Sequence, residues 1–416
     1  MTNDVKNIPE LRFPEFSSEW IEKRLGDIGE FKNGLNKDKT EFGFGVPFVN
    51  LNDVFSNIPI VKENLSLVNA NDKEIKDYNL VQGDTLFIRS SVKPSGVGLT
   101  KVIINNDFIN TVYSGFLIRY RNFEKYNIDN NFKKYIFNSK SVRKQVIRQS
   151  TSSANTNINQ EELKLIKINM PPTVEQQKIG EFFSKLDRQI ELEEQKLEKL
   201  EEQKKGYMQK IFSQELRFKD ENGNDYPEWK EEKLNNVLEK IIDNRGKTPE
   251  NNATEIYPIL EVNSLGNYYP KYKKVVKFVS EETYKTWFRE HLKVNDVLFS
   301  TVGNTGIVSL MDNNKAVIAQ NIVGLRLNYE NEAAFLYYLL SYWENQKKVK
   351  QIQMGAVQPS VKVSQFKYLK FFFPVKDEQR KISVFLTKFD KVFENQSNKI
   401  EILKERKKGF LQKMFV

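Results

Sequence analysis

Apolar residues recur every three or four positions along two long stretches of the chain. In the first stretch these positions are Ile179, Phe182, Leu186, Ile190, Leu197, Leu200, Tyr207 and Ile211. In the second they are Ile382, Phe385, Phe389, Phe393, Ile400, Leu403, Phe410 and Met414. The same rhythm is completed by four polar residues, namely Glu193, Lys204, Gln396 and Lys407. The pattern predicts two long helices, each with the apolar seam of a coiled coil.

The two stretches are copies of each other. Residues 171–212 align with residues 374–415 without a gap at a constant offset of 203, and 19 of 42 positions are identical. The similarity continues more weakly outside the helices, where Leu11-Arg12-Phe13 recurs as Leu216-Arg217-Phe218. A repeat of this size predicts two similar modules in one chain, and therefore a function that needs both.

The blocks outside the long helices carry short apolar or alternating runs rich in Val, Ile and Phe, which predict β-strands. These runs cover residues 46–51, 84–90, 115–121, 257–262, 296–302 and 322–327. Shorter helices are predicted at 131–149 and 332–353. We therefore predict an α+β fold with a pseudo-twofold internal repeat, in which an antiparallel coiled coil separates two globular domains. The predicted boundaries are 1–170 and 214–373 for the globular domains, and 171–213 and 374–416 for the helices.

A long helix is marginal by itself, so each seam needs a partner helix. If the two helices pair in antiparallel fashion about a pseudo-twofold axis, seam residues whose numbers sum to 600 lie opposite each other. The pairs predicted in this way are Leu197 with Leu403, Leu200 with Ile400, and Glu193 with Lys407. Pairing the polar seam residues with each other would specify this register. The alternative is that each helix packs only on its own globular domain.

Composition narrows the chemistry that the chain can perform. It has no cysteine and a single histidine, His291, which excludes disulfides, thiolate zinc sites and catalytic groups built on several histidines. Gly246-Lys247-Thr248 resembles the end of a phosphate-binding loop, but Ile241 stands where that motif needs its first glycine. We therefore expect a non-catalytic protein.

The net charge of +10 favours an acidic partner, with nucleic acid the first candidate. The alternative is that the excess of basic residues comes from an AT-rich genome, which enriches a protein in Lys, Asn and Ile. No apolar run reaches the ~18 residues of a membrane span, and the N-terminal residues lack the layout of a signal peptide. We therefore expect no membrane partner and a cytoplasmic location.

Polar loops with interleaved basic residues are the candidate contacts with double-stranded DNA. Arg and Lys can bind guanine or phosphate, whereas Asn and Gln can read adenine. The candidate DNA-binding residues are Arg89, Ser91, Lys93, Asn155, Arg245, Lys247, Lys273, Asn304 and Gln358. Asn155 and Gln358 occupy equivalent positions of the two copies. The alternative for each loop by itself is a solvated turn.

The repeated helices carry a motif that resembles a known family. Each opens with Pro-x-x-x-Glu-Gln-x-Lys-Ile, continues to Phe-x-x-Lys-x-Asp, and ends in Lys-Lys-Gly-aromatic-x-Gln-Lys-x-Phe. Together with the two divergent blocks, these motifs resemble the specificity subunit of type I restriction–modification systems over essentially the whole chain. Glu175-Gln176 and Glu378-Gln379 are the strongest carriers of the resemblance.

The resemblance implies a division of labour between subunits. Each globular block would be a target-recognition domain for one half of a bipartite, asymmetric DNA site, and the paired helices would hold the half-sites about 34 Å apart. Two methyltransferase subunits and restriction/translocase subunits would be the protein partners. S-adenosylmethionine, ATP and Mg would be bound by those partners, with no cofactor in this chain.

Three other interpretations stay open at the level of sequence. One is the specificity subunit of a related system with methylation-only partners. Another is a coiled-coil scaffold that binds only proteins. The third is a free-standing nuclease or methyltransferase, against which the missing catalytic motifs argue.

Overall fold

The structure is a computed structural model that describes residues 7–56, 59–152, 155–244, 246–313 and 315–416. The chain forms two compact units. Unit 1 comprises Met1–Glu194 and Lys399–Val416, and unit 2 comprises Gln195–Asn398. Each unit therefore combines a globular block with a part of each long helix.

Unit 1 is built from short strands and helices that lead into the first long helix. Its strands are β1 (Ile21–Arg24), β2 (Gly29–Asn33), β3 (Phe42–Val49), β4 (Ser66–Val68), β5 (Thr85–Ile88), β6 (Ser90–Ser91), β7 (Thr100–Val102), β8 (Val112–Tyr113), β9 (Leu117–Asn122), β10 (Thr151–Ser152), β11 (Thr156–Asn157) and β12 (Lys167–Met170). Its helices are α1 (Leu25–Ile28), α2 (Leu51–Phe55), α3 (Asp72–Tyr78), α4 (Asn130–Ile136), α5 (Lys140–Gln149), α6 (Gln160–Lys164) and the start of α7 (Thr173–Phe212).

The central sheet of unit 1 separates two apolar cores. Its strand order is β2-β9-β5-β7, and every residue of β5 is buried. Because side chains alternate along a strand, Phe87 points into one core, whereas Leu86 and Ile88 belong to the other. A strand covered on both faces reads as a continuous apolar run, as the sequence of β5 does. Smaller sheets have the orders β4-β3-β8, β10-β11-β6 and β1-β12.

Unit 2 repeats this architecture. Its strands are β13 (Lys230–Lys233), β14 (Leu238–Ile242), β15 (Tyr257–Leu260), β16 (Phe278–Val279), β17 (Val297–Ser300), β18 (Val308–Leu310), β19 (Val317–Ile318), β20 (Ile322–Leu327), β21 (Gln353–Met354), β22 (Ser360–Val361) and β23 (Lys370–Phe373). Its helices are α8 (Leu234–Val237), α9 (Glu281–Trp287), α10 (Ala333–Ser341), α11 (Trp343–Gln351), α12 (Val363–Phe366) and most of α13 (Lys376–Lys413). The strand orders β14-β20-β17-β18, β16-β15-β19 and β13-β23 match those of unit 1.

A buried ion pair marks the equivalence of the two central sheets. In unit 1, Asp84 accepts hydrogen bonds from the Arg121 guanidinium at 2.6 and 2.7 Å and also from the backbone N–H of Val81. In unit 2, Asp296 accepts from Arg326 at 2.9 and 3.0 Å. The same residue types thus close the same turn twice, which confirms an α+β fold with an internal repeat.

Each of the two shorter helices predicted before the long ones is instead a pair. Residues 131–149 were expected to form one helix, but α4 ends at Ile136 and α5 begins at Lys140. Ser139 has extended backbone angles, and its hydroxyl accepts from the N–H of Val142, so it caps a new helix. Residues 332–353 divide in the same way into α10 and α11, because Tyr342 is extended.

The two long helices pack against each other in antiparallel fashion within each unit. In unit 1, Phe182 of α7 meets Phe410 of α13 edge to face, with ring centroids 5.2 Å apart. In unit 2, Tyr207 of α7 contacts Phe385 of α13 at 5.1 Å. Since the numbers rise on one helix as they fall on the other, the helices run in opposite directions. The alternative in which each helix packs only on its own domain is therefore wrong.

The register predicted from a sum of 600 is wrong as well. Glu193 does not pair with Lys407; its carboxylate accepts from Lys399 Nζ at 2.7 Å, and Lys407 pairs with Asp187. These pairs sum to 592 and 594. In unit 2 the equivalent pair is Asp390 with Lys204, again with a sum of 594.

Burial along the seam follows the periodic pattern. Ile190, Glu193, Ile400 and Leu403 are buried, whereas Leu197, Leu200, Phe393 and Lys407 are half-buried. In the part of the chain that the structure describes, no helix has the length and apolar character needed to cross a membrane.

Candidate nucleic-acid interface

The β10-β11-β6 sheet of unit 1 brings two predicted loops onto one surface. Thr156 pairs with Ser91, and Asn157 pairs with Ser90. Arg89 is anchored through its backbone, because its N–H donates to Phe116 O at 2.9 Å and its carbonyl accepts from Ile158 N–H at 3.0 Å. The sheet therefore fixes the backbone around β6 and leaves the Arg89 side chain exposed.

Four of the predicted DNA-binding residues lie on this surface of unit 1. Arg89, Lys93 and Asn155 are exposed and Ser91 is half-buried. Ser91, Lys93 and Asn155 line one open groove of about 520 Å³. Their neighbours in the groove are Leu51, Phe55, Ser90, Val92, Ser95, Gly96, Leu99 and Phe116. We name this feature the β6 groove.

The equivalent loops of unit 2 also meet. Val302 bridges to Ser360, Gly303 N–H donates to Pro359 O at 2.8 Å, and Val361 N–H donates to Thr301 O at 2.8 Å. This pairing brings the loop that carries Asn304 to the loop that carries Gln358, and both side chains are exposed. The surface corresponds to that of unit 1, but its residues differ.

The remaining predicted contacts lie elsewhere. Lys247 is exposed in the loop after β14, and Lys273 is exposed in the turn Tyr272–Lys274. Arg245 lies outside the described residues. The structure therefore brings the predicted contacts around β6 together within unit 1 and those around β22 together within unit 2. Lys247 and Lys273 lie on other loops of unit 2.

Sequence reasoning missed the apolar residues of the β6 groove. Phe55, Val92 and Phe116 are exposed by 40%, 80% and 59%, respectively. Phe116 lies within the run 115–121 that was predicted as a strand, but that pattern does not show that its side chain, just before β9, faces solvent. At the equivalent place in unit 2 stands Asn321, whose carbonyl accepts from Thr301 N–H as Phe116 O accepts from Arg89 N–H.

A buried clasp holds the start of each long helix. Glu175 is fully buried and accepts from Arg12 Nε and Nη2, both at 2.7 Å, and from Trp20 Nε1 at 3.3 Å. In unit 2, Glu378 accepts from Arg217 at 2.8 Å and from Trp229 at 3.1 Å. The recurrent Glu-Gln motif therefore anchors each helix to its globular block.

A second anchor sets the helix register. The Tyr135 hydroxyl, from the globular block of unit 1, donates to Asp187 at 2.7 Å. Burial raises the pKa of Asp187, but hydrogen bonds from Lys134 and Lys407 outweigh it and hold the pKa below its ordinary value. In unit 2, Tyr338 donates to Asp390 in the same way. A charged aspartate fixed by its own domain thus selects the lysine of the other helix.

Among the residues that the structure describes, no group of three or more acidic or histidine side chains is arranged to hold a metal ion. The features that the two units share are the helix anchors and the central sheet. The features that differ are the loops that meet beside β6 and β22.

Comparison with known proteins identifies the family in which these features occur. The sequence matches the family described as Type I restriction modification DNA specificity domain twice, over residues 17–202 and 226–405. A putative type I restriction enzyme MjaX specificity subunit from Methanocaldococcus jannaschii is 27% identical, over 98% of this chain and 95% of the relative. The MjaVIII specificity subunit of the same organism is 24% identical over 67% of this chain and 68% of its own length.

Solved structures share the fold. The S subunit of a type I restriction–modification system from M. genitalium superposes with a TM-score of 0.59 at 15% identity, covering 98% of this chain and 99% of that one. A chain from a study of complex assembly and conformational transition in a type I system gives a TM-score of 0.58 at 16% identity, covering 95% and 97%. The chain belongs to the family of type I restriction–modification specificity subunits.

Proposed function

We propose that this specificity subunit recognises a bipartite, asymmetric site in double-stranded DNA, with one half-site read by each unit. One observation carries the proposal. The two units share a framework, but the loops exposed at the same place in each unit carry different side chains. Loops around β6 in unit 1 and around β22 in unit 2 are fixed by equivalent backbone pairings. Equivalent frames with different side chains suit the reading of two different sequences.

The side chains on these loops suit DNA. Arg89 and Lys93 would contact phosphate or guanine, and Asn155, Asn304 and Gln358 would read base edges. Ser91 would add a hydroxyl donor to the same surface. Lys247 and Lys273, on other loops, are proposed as phosphate contacts, together with Arg245. The net charge of +10 supports a polyanionic partner.

The long helices are proposed as the spacer between the half-sites. α7 has 40 residues and α13 has 38, which at 1.5 Å per residue gives about 60 Å of helix each. One turn of B-DNA is about 34 Å, so helices of this length suffice to set a gap between two recognition surfaces.

The exposed sides of the helices are proposed to bind two copies of one methyltransferase subunit. Gly206 and Gly409 stand at equivalent positions inside the helices, and a Cβ added at either would meet nothing within 4 Å. Glycine inside a helix costs about 1 kcal/mol relative to alanine, and the fold of this chain gives no packing reason for it. A partner whose backbone approaches closely would supply the reason.

Each glycine lies on a helix face whose residues are the same in both helices. Helical spacing places Glu202, Lys205 and Gln209 on the same side of α7 as Gly206, opposite the seam. The equivalent residues of α13 are identical, namely Glu405, Lys408 and Gln412. We name these two surfaces the outer faces. Two identical outer faces in one chain suit two identical partners.

The chemistry in this proposal resides in the partners. The methyltransferase subunits would bind S-adenosylmethionine, and restriction/translocase subunits would bring ATP and Mg. The assembly would act on DNA in the cytoplasm.

Replacing both glycines by leucine tests the outer faces. We expect Gly206→Leu with Gly409→Leu to leave the free chain folded, with equal or higher thermal stability, because the added side chains meet open space. Binding of the methyltransferase subunit should weaken about tenfold or more, since a bulky residue opposes close packing. Thermal unfolding followed by circular dichroism measures the stability of the free chain, and titration calorimetry with the purified partner measures the affinity.

The matched control is Gln189→Leu, an exposed position of α7 whose counterpart in α13 is already Val392. It should bind the partner normally. Unchanged partner affinity in the double glycine variant would show that the outer faces are not the docking surfaces.

Methylation mapping tests the function as a whole. We expect cells that express this chain with a methyltransferase subunit to methylate a gapped, two-part motif, detected by long-read sequencing. Exchange of the loops around β22 should change one half of the motif and leave the other intact. A continuous palindrome, or methylation that does not depend on this chain, would contradict the proposal. A chain that binds only protein would give no motif at all.

A further inference from the structure

The β6 groove is lined by apolar residues together with polar and basic ones. Phe55, Val92 and Phe116 expose large apolar surfaces to solvent beside one another. Lys93 and Asn155 also line the groove. Exposed apolar clusters of this kind are characteristic of binding surfaces, and the cation and amide beside them match the charge and hydrogen-bonding groups of DNA.

The groove is held in shape by close contacts. Gly96 is buried, and a Cβ placed on it would lie 3.0 Å from the Phe55 ring and 2.3 Å from Ser91 Oγ. Asn50 caps α2, because its side chain accepts from Leu51 N–H at 2.8 Å. The absence of a side chain at Gly96 therefore lets the Phe55 ring, at the end of α2, pack closely against this turn. The apolar surface is thus built into the fold.

Base edges differ in the apolar groups that they present. In the major groove, thymine alone carries a methyl group, at C5, and apolar side chains recognise it by contact. A groove that combines apolar side chains with a lysine and an asparagine therefore suits thymine, because the methyl group can meet the apolar side chains while the polar ones bind neighbouring hydrogen-bonding groups. Asn321 replaces Phe116 at the equivalent place in unit 2, so this position offers the two half-sites different chemistry.

We propose that Phe116, together with Phe55 and Val92, reads the 5-methyl group of a thymine in the half-site bound by unit 1. This proposal rests on the proposed function. It adds the identity of one base in the half-site that unit 1 binds. Burial of one methyl group against these side chains should improve binding about fourfold.

The test replaces thymine by deoxyuridine, which removes only the methyl group. The full chain, assembled with its methyltransferase subunit, is titrated with duplexes that carry the mapped motif, and binding is measured by fluorescence anisotropy. Thymines are replaced in one half-site at a time. For the wild type, we expect replacement in one half-site to weaken binding about fourfold. Phe116→Ala should bind the thymine duplex more weakly than the wild type does, and should lose most of the difference between the two duplexes, because Phe55 and Val92 remain.

Two controls separate this effect from general damage. Ile109→Ala removes a similarly exposed apolar side chain of unit 1 outside the groove and should keep the thymine preference. Val92→Ala should reduce the preference. Any preference for thymine in the other half-site should be unchanged in Phe116→Ala.

Three results would overturn the inference. Equal wild-type affinity for thymine and deoxyuridine duplexes would show that no methyl group is read. A thymine preference that is undiminished in Phe116→Ala would place the reader elsewhere. Loss of methyltransferase binding in Phe116→Ala, with the thymine preference intact, would make the groove a protein-docking site. Absence of sequence-specific binding to the unmodified duplex would instead refute the proposed function itself.

Discussion

Glu175→Ala is expected to destabilise unit 1 by about 3–5 kcal/mol, the range found when one partner of a buried ion pair is removed. The Glu175 carboxylate is fully buried and holds both Arg12 and Trp20. Without it, the Arg12 guanidinium keeps its charge in a nearly buried site, and its Nη1 already has no hydrogen-bond partner. Since whole domains are stable by only about 5–15 kcal/mol, the loss should be visible as a separate early transition in urea.

The chain provides matched controls for this variant. Glu378→Ala removes the equivalent carboxylate from Arg217 and Trp229 and should destabilise unit 2 instead. Glu22→Ala breaks an exposed pair with Lys167 and should cost no more than about 1 kcal/mol. If Glu175→Ala costs no more than Glu22→Ala, the clasp does not anchor the helix.

The local elements could be predicted from the sequence because their signals are local. Continuous apolar runs predicted β5, β9, β17 and β20, and the three-to-four spacing predicted both long helices. The break between α4 and α5 was missed because one capping serine, Ser139, overrides the helical pattern around it. The cap is recognised once the structure is known. In the sequence alone, a serine within a helical pattern does not show that the helix ends there.

The helix register could not be predicted, because a repeating seam is nearly indifferent to a shift of about two turns. Apolar residues still face apolar residues after such a shift. The choice is made by Asp187 and Lys407, and Asp187 is fixed by Tyr135 from the globular block. A tertiary contact therefore decides a coiled-coil property. The β6 groove has the same origin, since Phe55 and Phe116 meet only in the folded unit.

Shortening both helices together is expected to shorten the gap in the recognised DNA while preserving its two halves. Deleting Gln195–Glu201 from α7 and Val392–Asn398 from α13 removes seven residues from each, or two helical turns, and so keeps the seam in phase. Glu193 and Lys399 remain on one side of the deletion, and Lys204 and Asp390 remain on the other. About 10 Å of helix is lost, which corresponds to about three base pairs.

Long-read methylation mapping distinguishes this outcome from simple damage. Deletion of Gln195–Glu201 alone is the matched control: it makes α7 two turns shorter than α13, so the Asp187–Lys407 and Lys204–Asp390 pairs cannot both form, and methylation should be lost. The paired deletion keeps both pairs, so the sites that it methylates should carry the original half-sites closer together. Changed half-sites with an unchanged gap would mean that the helices contribute to base recognition and that the spacing is set elsewhere. The loops around β6 and β22 lie outside the deleted segments and keep their contacts. We therefore expect unchanged half-sites and a shorter gap.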